Sequence, residues 1–418
     1  MVAALANAPG LAVVVGPAGA GKTAALAAAT PTWRSEGRPV TGAALAAVTA
    51  RRLEHATGIP SMSLARVLAD ANAAHPDTGR PAGLSRGGVL VVDEASMVDT
   101  RTLAALLTHT KAADATLVLV GDPAQLPEIG AGGLFAALAR HPTRSLADNR
   151  RQVESWERRA LADLRAGDSE AAIAAYAARQ RLHTAPSGEL PERVVADYLR
   201  LRDQADQPDQ IVMLAVRRAD VALLNQAVRE QLLAAGQLGE PAVVVGADRQ
   251  REYRPGDLVI VTANDHRRGL LNGTRATLTH VDGQQRTLTL ATDDHRRITM
   301  PAGWAADRLD HGYALTCHKA QGATLDTALL YGAGTLAREA GYVGLSRGRR
   351  ANHLYVPDDI APDEPEDSRL VKLAAGLATS RAQTMATRQL SRAPAMGRLP
   401  YSSPEHHGVH IGSEGITR

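Results

Sequence analysis

The sequence predicts an α/β protein built on buried parallel strands, organised as two α/β units with a β-rich insertion in the second. Three observations carry that expectation. An apolar run, Leu11 to Val15, stops at a glycine-rich turn and restarts as an alanine-rich helix. Two more apolar runs, Val89 to Val92 and Leu117 to Val120, end abruptly in polar residues, as buried parallel strands do at the edge facing a ligand crevice. From Glu240 to about Ala305 the texture changes to short alternating runs between Gly, Asn and Asp turns.

The first stretch reads Gly16-Pro17-Ala18-Gly19-Ala20-Gly21-Lys22-Thr23 and fills every fixed position of G-x-x-x-x-G-K-[ST] between a strand and a helix. Glycines let backbone N–H groups turn inward on phosphates, and the following helix N-terminus adds a favourable dipole. In such a loop Lys22 reaches the β- and γ-phosphates of a nucleotide and the Thr23 hydroxyl holds Mg²⁺. The expected ligands are therefore ATP and Mg²⁺.

Pro39 to Leu53 reads as a strand end followed by an amphipathic helix that closes at Thr57-Gly58. Ala73 to Gly88, with His75-Pro76-Asp77-Thr78-Gly79, reads as a loop or small hairpin. The run Val89 to Val92 ends in Asp93-Glu94. Asp93 there can hold the Mg²⁺ and Glu94 can orient and deprotonate an attacking water, although the pair could also simply cap a helix. Gly121-Asp122-Pro123-Ala124-Gln125 follows the third run. Gln125 can hydrogen-bond a γ-phosphate or the water, while Asp-Pro alone is an ordinary turn opener.

Residues 140 to 210 read as mainly helical, with Glu154 to Arg165 and Ser169 to Arg179 as examples, headed by Asn149-Arg150-Arg151-Gln152. Ile211 to Val216 opens the second α/β unit and Asp220 to Ala235 is its next helix. After the insertion the pattern returns with Tyr313 to Thr324, a strand at Thr327 to Tyr331, Gly341 to Arg349, and a strand at His353 to Val356. Asp358 to Asp367 is a proline-rich, acidic linker. A helix is expected from Ser368 to Gln389, then a disordered tail whose His406, His407 and His410 read as solvated rather than metal-binding.

At 418 residues the chain has room for two or three domains. A formal charge of only +3 announces no global field for nucleic acid, so any basic surface must be local. The single cysteine, Cys317, excludes an internal disulfide framework. Neither a secretory signal nor a run of eighteen apolar residues is found, and the expectation is a soluble cytoplasmic protein with no membrane segment. Phe135 is the only phenylalanine, so base-stacking platforms are few. Lysines number four, Lys22, Lys111, Lys319 and Lys372, in a chain whose cations are otherwise arginine, so Lys319 stands out where a merely solvated cation would more often be arginine.

With these stretches in order, the chain resembles the superfamily 1 helicases of the RecD-like branch, and within them the helicase portion of conjugative relaxase–helicases. The resemblance is carried by Gly16 to Thr23, Asp93 to Met97, Gly121 to Pro127, Arg151-Gln152, Tyr313 to Thr324 and Tyr342 to Arg347. It implies a P-loop NTPase of two RecA-like domains with ATP between them and a small SH3-like β-barrel insertion in the second. The implied boundaries are 1–139 for the first domain, 140–239 with 306–357 for the second, 240–305 for the insertion, and 358–418 for linker, helix and tail. It further implies that Gly16 to Thr23 and Asp93 bind Mg·ATP, with Thr23 and Asp93 on the metal. Glu94 is the implied base, Gln125 the γ-phosphate sensor, Arg151 and Arg347 the arginines presented across the cleft. Thr316, His318 and Lys319 match the motif that touches single-stranded nucleic acid.

What the resemblance implies is an ATP-dependent 5′-to-3′ helicase or translocase on single-stranded DNA, with a relaxase nicking domain or conjugation machinery as a further partner. A RecD-like repair helicase and a non-hydrolysing DNA-binding remnant are the rival expectations. Family members read adenine through a glutamine-containing segment ahead of the phosphate loop, and the ten residues before Leu11 contain no glutamine. The sequence also shows no nicking domain, so it reads as the motor portion of a larger arrangement or as a remnant of one.

Overall fold

The computed structural model describes residues 10–73, 84–246, 250–333, 336–358 and 368–382. The His75 to Gly79 stretch, most of the acidic linker and the tail histidines lie outside the described residues. Six strands form the first sheet: β1 (Leu11–Val15), β2 (Val40–Ala44), β3 (Ser61–Ser63), β4 (Val89–Val92), β5 (Thr116–Gly121) and β6 (Arg144–Ser145). Their order is β3-β2-β4-β5-β1-β6, and every pairing is parallel.

Alternation along each strand sorts the apolar side chains onto two faces. Ala12 and Val14 pack with Leu26, Trp33 and Leu53 from the helices Lys22–Ser35 and Ala47–Thr57. Val13 and Val15 pack on the other face with Val67, Leu103, Leu106 and Phe135 from Leu64–Asn72, Thr100–Ala112 and Leu134–Leu138. Because both faces are covered, β4 and β5 are buried along their whole length, which is why they read as unbroken apolar runs. Register aligns Val15 with Gly121 and Val92 with Leu119, so β1, β4 and β5 stop at one edge.

The first sheet reaches past residue 139. Thr143 Oγ1 accepts from Val13 N at 3.0 Å and Leu146 N donates to Val15 O at 2.8 Å, so β6 closes the sheet beside β1. A two-residue strand has too little pattern to be seen in the sequence.

The second parallel sheet begins with β7 (Leu182–Ala185) and β8 (Ile211–Ala215). It is then interrupted by β9 (Val243–Val245), β10 (Arg251–Tyr253), β11 (Leu258–Val261), β12 (Arg275–Asp282), β13 (Thr287–Thr292), β14 (Arg297–Pro301) and β15 (Leu309–His311). It resumes with β16 (Ala314–Thr316), β17 (Leu325–Tyr331) and β18 (Gly348–Pro357), in the order β16-β8-β17-β18-β7. Val212 and Leu214 face one core, shared with the helices Ser155–Ala166, Ser169–Ala178 and Arg338–Leu345. Met213 and Ala215 face the other, shared with Leu190–Asp203 and Arg218–Ala234.

The interruption is an antiparallel sheet in the order β14-β13-β12-β11-β15, with β9 and β10 as a separate two-stranded ribbon. It has its own core, in which Leu288 and Leu290 alternate with half-exposed threonines. Because β15 pairs with β11, the inserted sheet extends to His311, beyond residue 305. A buried carboxylate, Asp257, fastens it to the second sheet: Oδ1 accepts from Tyr313 Oη at 2.8 Å and Arg229 Nε at 3.1 Å, and Oδ2 accepts from Arg254 N at 2.8 Å. Arg229 also bonds Glu252 at 2.9 Å.

The last described helix, Ser368–Ala378, is shorter than the expected one and belongs to the second core. Ala374 and Leu377 are buried there, and Ser169 Oγ donates to Ala374 O. It stops because Arg338 captures the chain beyond it, donating from N to Thr379 O and from its guanidinium to Ala378 O, while Ser380 Oγ and Arg381 N bond Glu339. Among the described residues no helix is long and apolar enough to cross a membrane.

Candidate nucleotide cleft

The phosphate loop leaves β1 with Gly16 N donating to Gly121 O at 3.2 Å. Two glycines are required by geometry. Gly19 has φ of +77° and an added Cβ would overlap Arg151 Cβ and Asn149 Oδ1; Gly21 has φ of +80° immediately before the helix. Lys22 begins that helix and folds its Nζ back onto Gly16 O at 2.9 Å and Pro17 O at 3.1 Å. Thr23 follows it, half-buried.

At the end of β4, Asp93 Oδ1 accepts from Glu94 N at 2.9 Å. Burial and the adjacent Glu94 push the Asp93 carboxyl up to about 6, against the pull of Lys22. Glu94 is held with φ of +51°, a conformation that costs a non-glycine residue on the order of 1 kcal/mol. Its Oε2 accepts from Gln321 Nε2 of the second α/β unit at 3.2 Å.

After β5 comes Asp122, fully buried. Its Oδ1 accepts from Arg165 Nε and Nη2, each at 3.1 Å, and from Ala124 N at 3.2 Å; its Oδ2 accepts from Tyr342 Oη at 2.9 Å. The same Tyr342 oxygen accepts from Ala18 N at 2.9 Å, so one phenol joins the phosphate loop, the loop after β5 and the helix Arg338–Leu345. Gln125 is buried, and its Oε1 has no hydrogen-bond partner among the described residues.

Arg151 and Arg347 meet around one short segment at Ser346. Arg151 Nη1 donates to Ser346 O at 2.9 Å, and Gln152 Nε2 donates to Ser346 O at 3.2 Å and Gly348 O at 2.8 Å. Arg347, 1% exposed, spends its donors on neutral acceptors: Val343 O at 2.8 Å, Ala323 O at 3.3 Å and Ser346 Oγ at 2.7 Å. Burial lowers both guanidinium pKa values, and the neighbouring Arg347 helps lower Arg151 to about 9, while Glu94 opposes the shift at each. Among the described residues neither guanidinium has a carboxylate partner within ion-pair distance, an arrangement suited to developing negative charge.

The structure therefore brings together the loop Gly16 to Thr23, Asp93, Glu94, Arg151 and Arg347, while Gln125 is buried in the turn after β5, its backbone N donating to Asp122 O. Thr316, His318 and Lys319 stand apart on the turn after β16, where His318 and Lys319 are exposed. Sequence reading assigned no role to Gln321, Arg165 or the Tyr342 hydroxyl. Gln321 and Tyr342 stood inside recognised stretches, but their partners are over 200 residues distant in the chain, and a helical arginine such as Arg165 carries no signal of its own.

A phosphate loop, a strand-end carboxylate pair and a buried Arg347 immediately before β18 define an α/β P-loop fold of the helicase type. Residues 1–187 match the family model described as AAA domain. Over 347 residues the chain is 36% identical to conjugal transfer protein TraA of Rhizobium radiobacter, covering 82% of this chain and 31% of that one. It is 31% identical to the RecBCD enzyme subunit RecD of Mycolicibacterium smegmatis, covering 83% of this chain and 68% of RecD. The chain belongs to the RecD-like superfamily 1 helicases and is similar to conjugal transfer proteins TraA, of whose length it spans about a third. The fold is similar to the Pif1 helicase from Bacteroides crystallised with ADP-AlF3 and single-stranded DNA, at a TM-score of 0.54 and 18% identity over 88% of this chain and 94% of that one. Pif1 from Candida albicans is similar to the same degree, with a TM-score of 0.54 and 18% identity over 88% of this chain and 95% of that one.

Proposed function

We propose that this chain is an ATP-driven motor that translocates 5′ to 3′ on single-stranded DNA, and that it is the helicase portion of a conjugative relaxase. The observation that carries the reading is the convergence of Lys22, Asp93 and Glu94 from the first sheet with Arg151 and Arg347 on the far side of one cleft. In this reading Glu94 takes the proton of the attacking water as it approaches the γ-phosphate of ATP, with Gln125 beside it. Lys22 leaves the carbonyls of Gly16 and Pro17 for the β- and γ-phosphates. Arg151 and Arg347 stabilise the charge that develops as the terminal bond breaks. Hydrolysis then removes what holds the two sheets together, and the cleft opens.

Thr23 and Asp93 suit Mg²⁺, since a hydroxyl and a carboxylate are hard oxygen donors and a dication would offset the burial that raises the Asp93 pKa. The ion supplies neutralisation of phosphate charge when bound. The inserted antiparallel sheet is read as an SH3-like module lying beside the strand, and Thr316, His318 and Lys319 as contacts to it. Conjugation is favoured over repair by the 36% identity to TraA against 31% to RecD.

The test is steady-state ATP hydrolysis by the purified chain with and without single-stranded DNA, beside Lys22→Ala. Strong stimulation by DNA that vanishes in the variant is expected. A folded chain that binds DNA but hydrolyses nothing would leave the reading of a DNA-binding remnant.

A further inference from the structure

The exposed turn after β16 is tied to the nucleotide cleft by one side chain. Thr316 Oγ1 caps the turn by accepting from Lys319 N at 3.2 Å, and Gln321 N closes it by donating to His318 O at 3.3 Å. His318 and Lys319 face solvent. Gln321, the next residue after the helical turn Cys317–Ala320, is 6% exposed and reaches back to Glu94 Oε2 at 3.2 Å. Its own Oε1 is buried with no hydrogen-bond partner among the described residues, so the Glu94 contact is what anchors this amide. Gly322, with φ of +78°, turns the chain away, and a Cβ there would stand 3.8 Å from Glu94 Oε1.

We infer that Gln321 is a positioning residue: it holds the Glu94 carboxylate while no strand is engaged and releases it when nucleic-acid phosphates draw on Thr316 to Lys319. The inference rests on the proposed reading of Glu94 as base and of the turn as a strand contact. A single turn closed by one side-chain cap and one backbone bond has little slack. A displacement of about half an ångström takes a 3.2 Å contact outside hydrogen-bonding range. The Glu94 oxygen is then free to orient water, and ATP turnover is licensed only on the strand. By linkage, a contact that strand binding must break weakens strand binding by the same factor.

The test uses the full chain with Gln321→Met, which keeps the length and volume of the side chain and removes the donor. Anisotropy of a labelled oligothymidylate, without nucleotide, should show about fivefold tighter binding, the size of one net hydrogen bond. DNA-free ATP hydrolysis should rise by a similar factor while the DNA-saturated rate stays put. Glu94→Ala should show the same gain in strand affinity, and adding Gln321→Met to it should give no further gain. Gln321→Asn, too short to reach Glu94, should repeat the result should the methionine disturb folding. Unchanged strand affinity, or DNA-free and DNA-saturated rates that fall together, would overturn the inference while leaving the motor intact. A wild-type chain that neither binds the oligonucleotide nor hydrolyses ATP would remove the proposed reading and this inference with it.

Discussion

Two buried charged networks in this molecule are built on opposite principles. At the root of the inserted sheet, Asp257 has no exposure and its acceptors are taken by Arg229, Tyr313 and the Arg254 backbone, while Arg229 is shared with Glu252. In the cleft, Arg347 is as deeply buried but among the described residues bonds only neutral oxygens, and there the Gln125 and Gln321 carbonyl oxygens lack partners. A satisfied network fixes geometry, whereas leaving charges and amides short of partners stores a demand that a ligand can meet. The first is therefore a joint, and the second a site.

The sharpest way to break this contrast is to remove the same kind of charge from each. In the cleft, Arg347→Met should lower kcat for ATP hydrolysis by about 10³-fold and weaken nucleotide affinity far less, since in the proposed reading the arginine acts on charge that develops in the transition state. Equal losses in rate and affinity would make Arg347 a structural residue. At the joint, Asp257→Asn should cost about 3 kcal/mol of stability in a denaturant titration, because the amide keeps one acceptor but removes the charge facing buried Arg229 and turns a donor toward Arg254 N. Hydrolysis per folded molecule should remain within about twofold of wild type, as no cleft residue is touched. A loss of activity without a loss of stability would show that the two networks are coupled. Lys319 belongs to neither network, being exposed. Lys319→Ala should leave stability unchanged and reduce the salt slope of single-strand binding by about 1, measured by anisotropy across a salt series. An unchanged slope would move the strand elsewhere.

The cleft was more legible than the joint because its residues sit in short local patterns. Gly16 to Thr23 and Asp93-Glu94 announce themselves by spacing at strand ends, where chain direction and burial leave few alternatives. Asp257 carries no such signal: it precedes an ordinary strand, and its partners Arg229 and Tyr313 come from different elements 28 and 56 residues away. The boundaries shifted for the same reason. β6 joins the first sheet through Val13, Val15, Thr143 and Leu146, and β15 joins the insertion through β11, both of them pairings with strands that a local pattern cannot anticipate.

By itself the sequence determined the parallel α/β character, the phosphate loop and the carboxylates beyond β4, because each is encoded by residues adjacent in the chain whose periodicity and backbone freedom leave one solution. Only the tertiary structure decided that Tyr342 would bridge Ala18 and Asp122, that Gln321 would hold Glu94, and that Arg347 would be buried against neutral oxygens. Those are contacts between sheets built from distant halves of the chain. Their energy depends on desolvation and on distances of about three ångströms, which no local pattern of residues specifies.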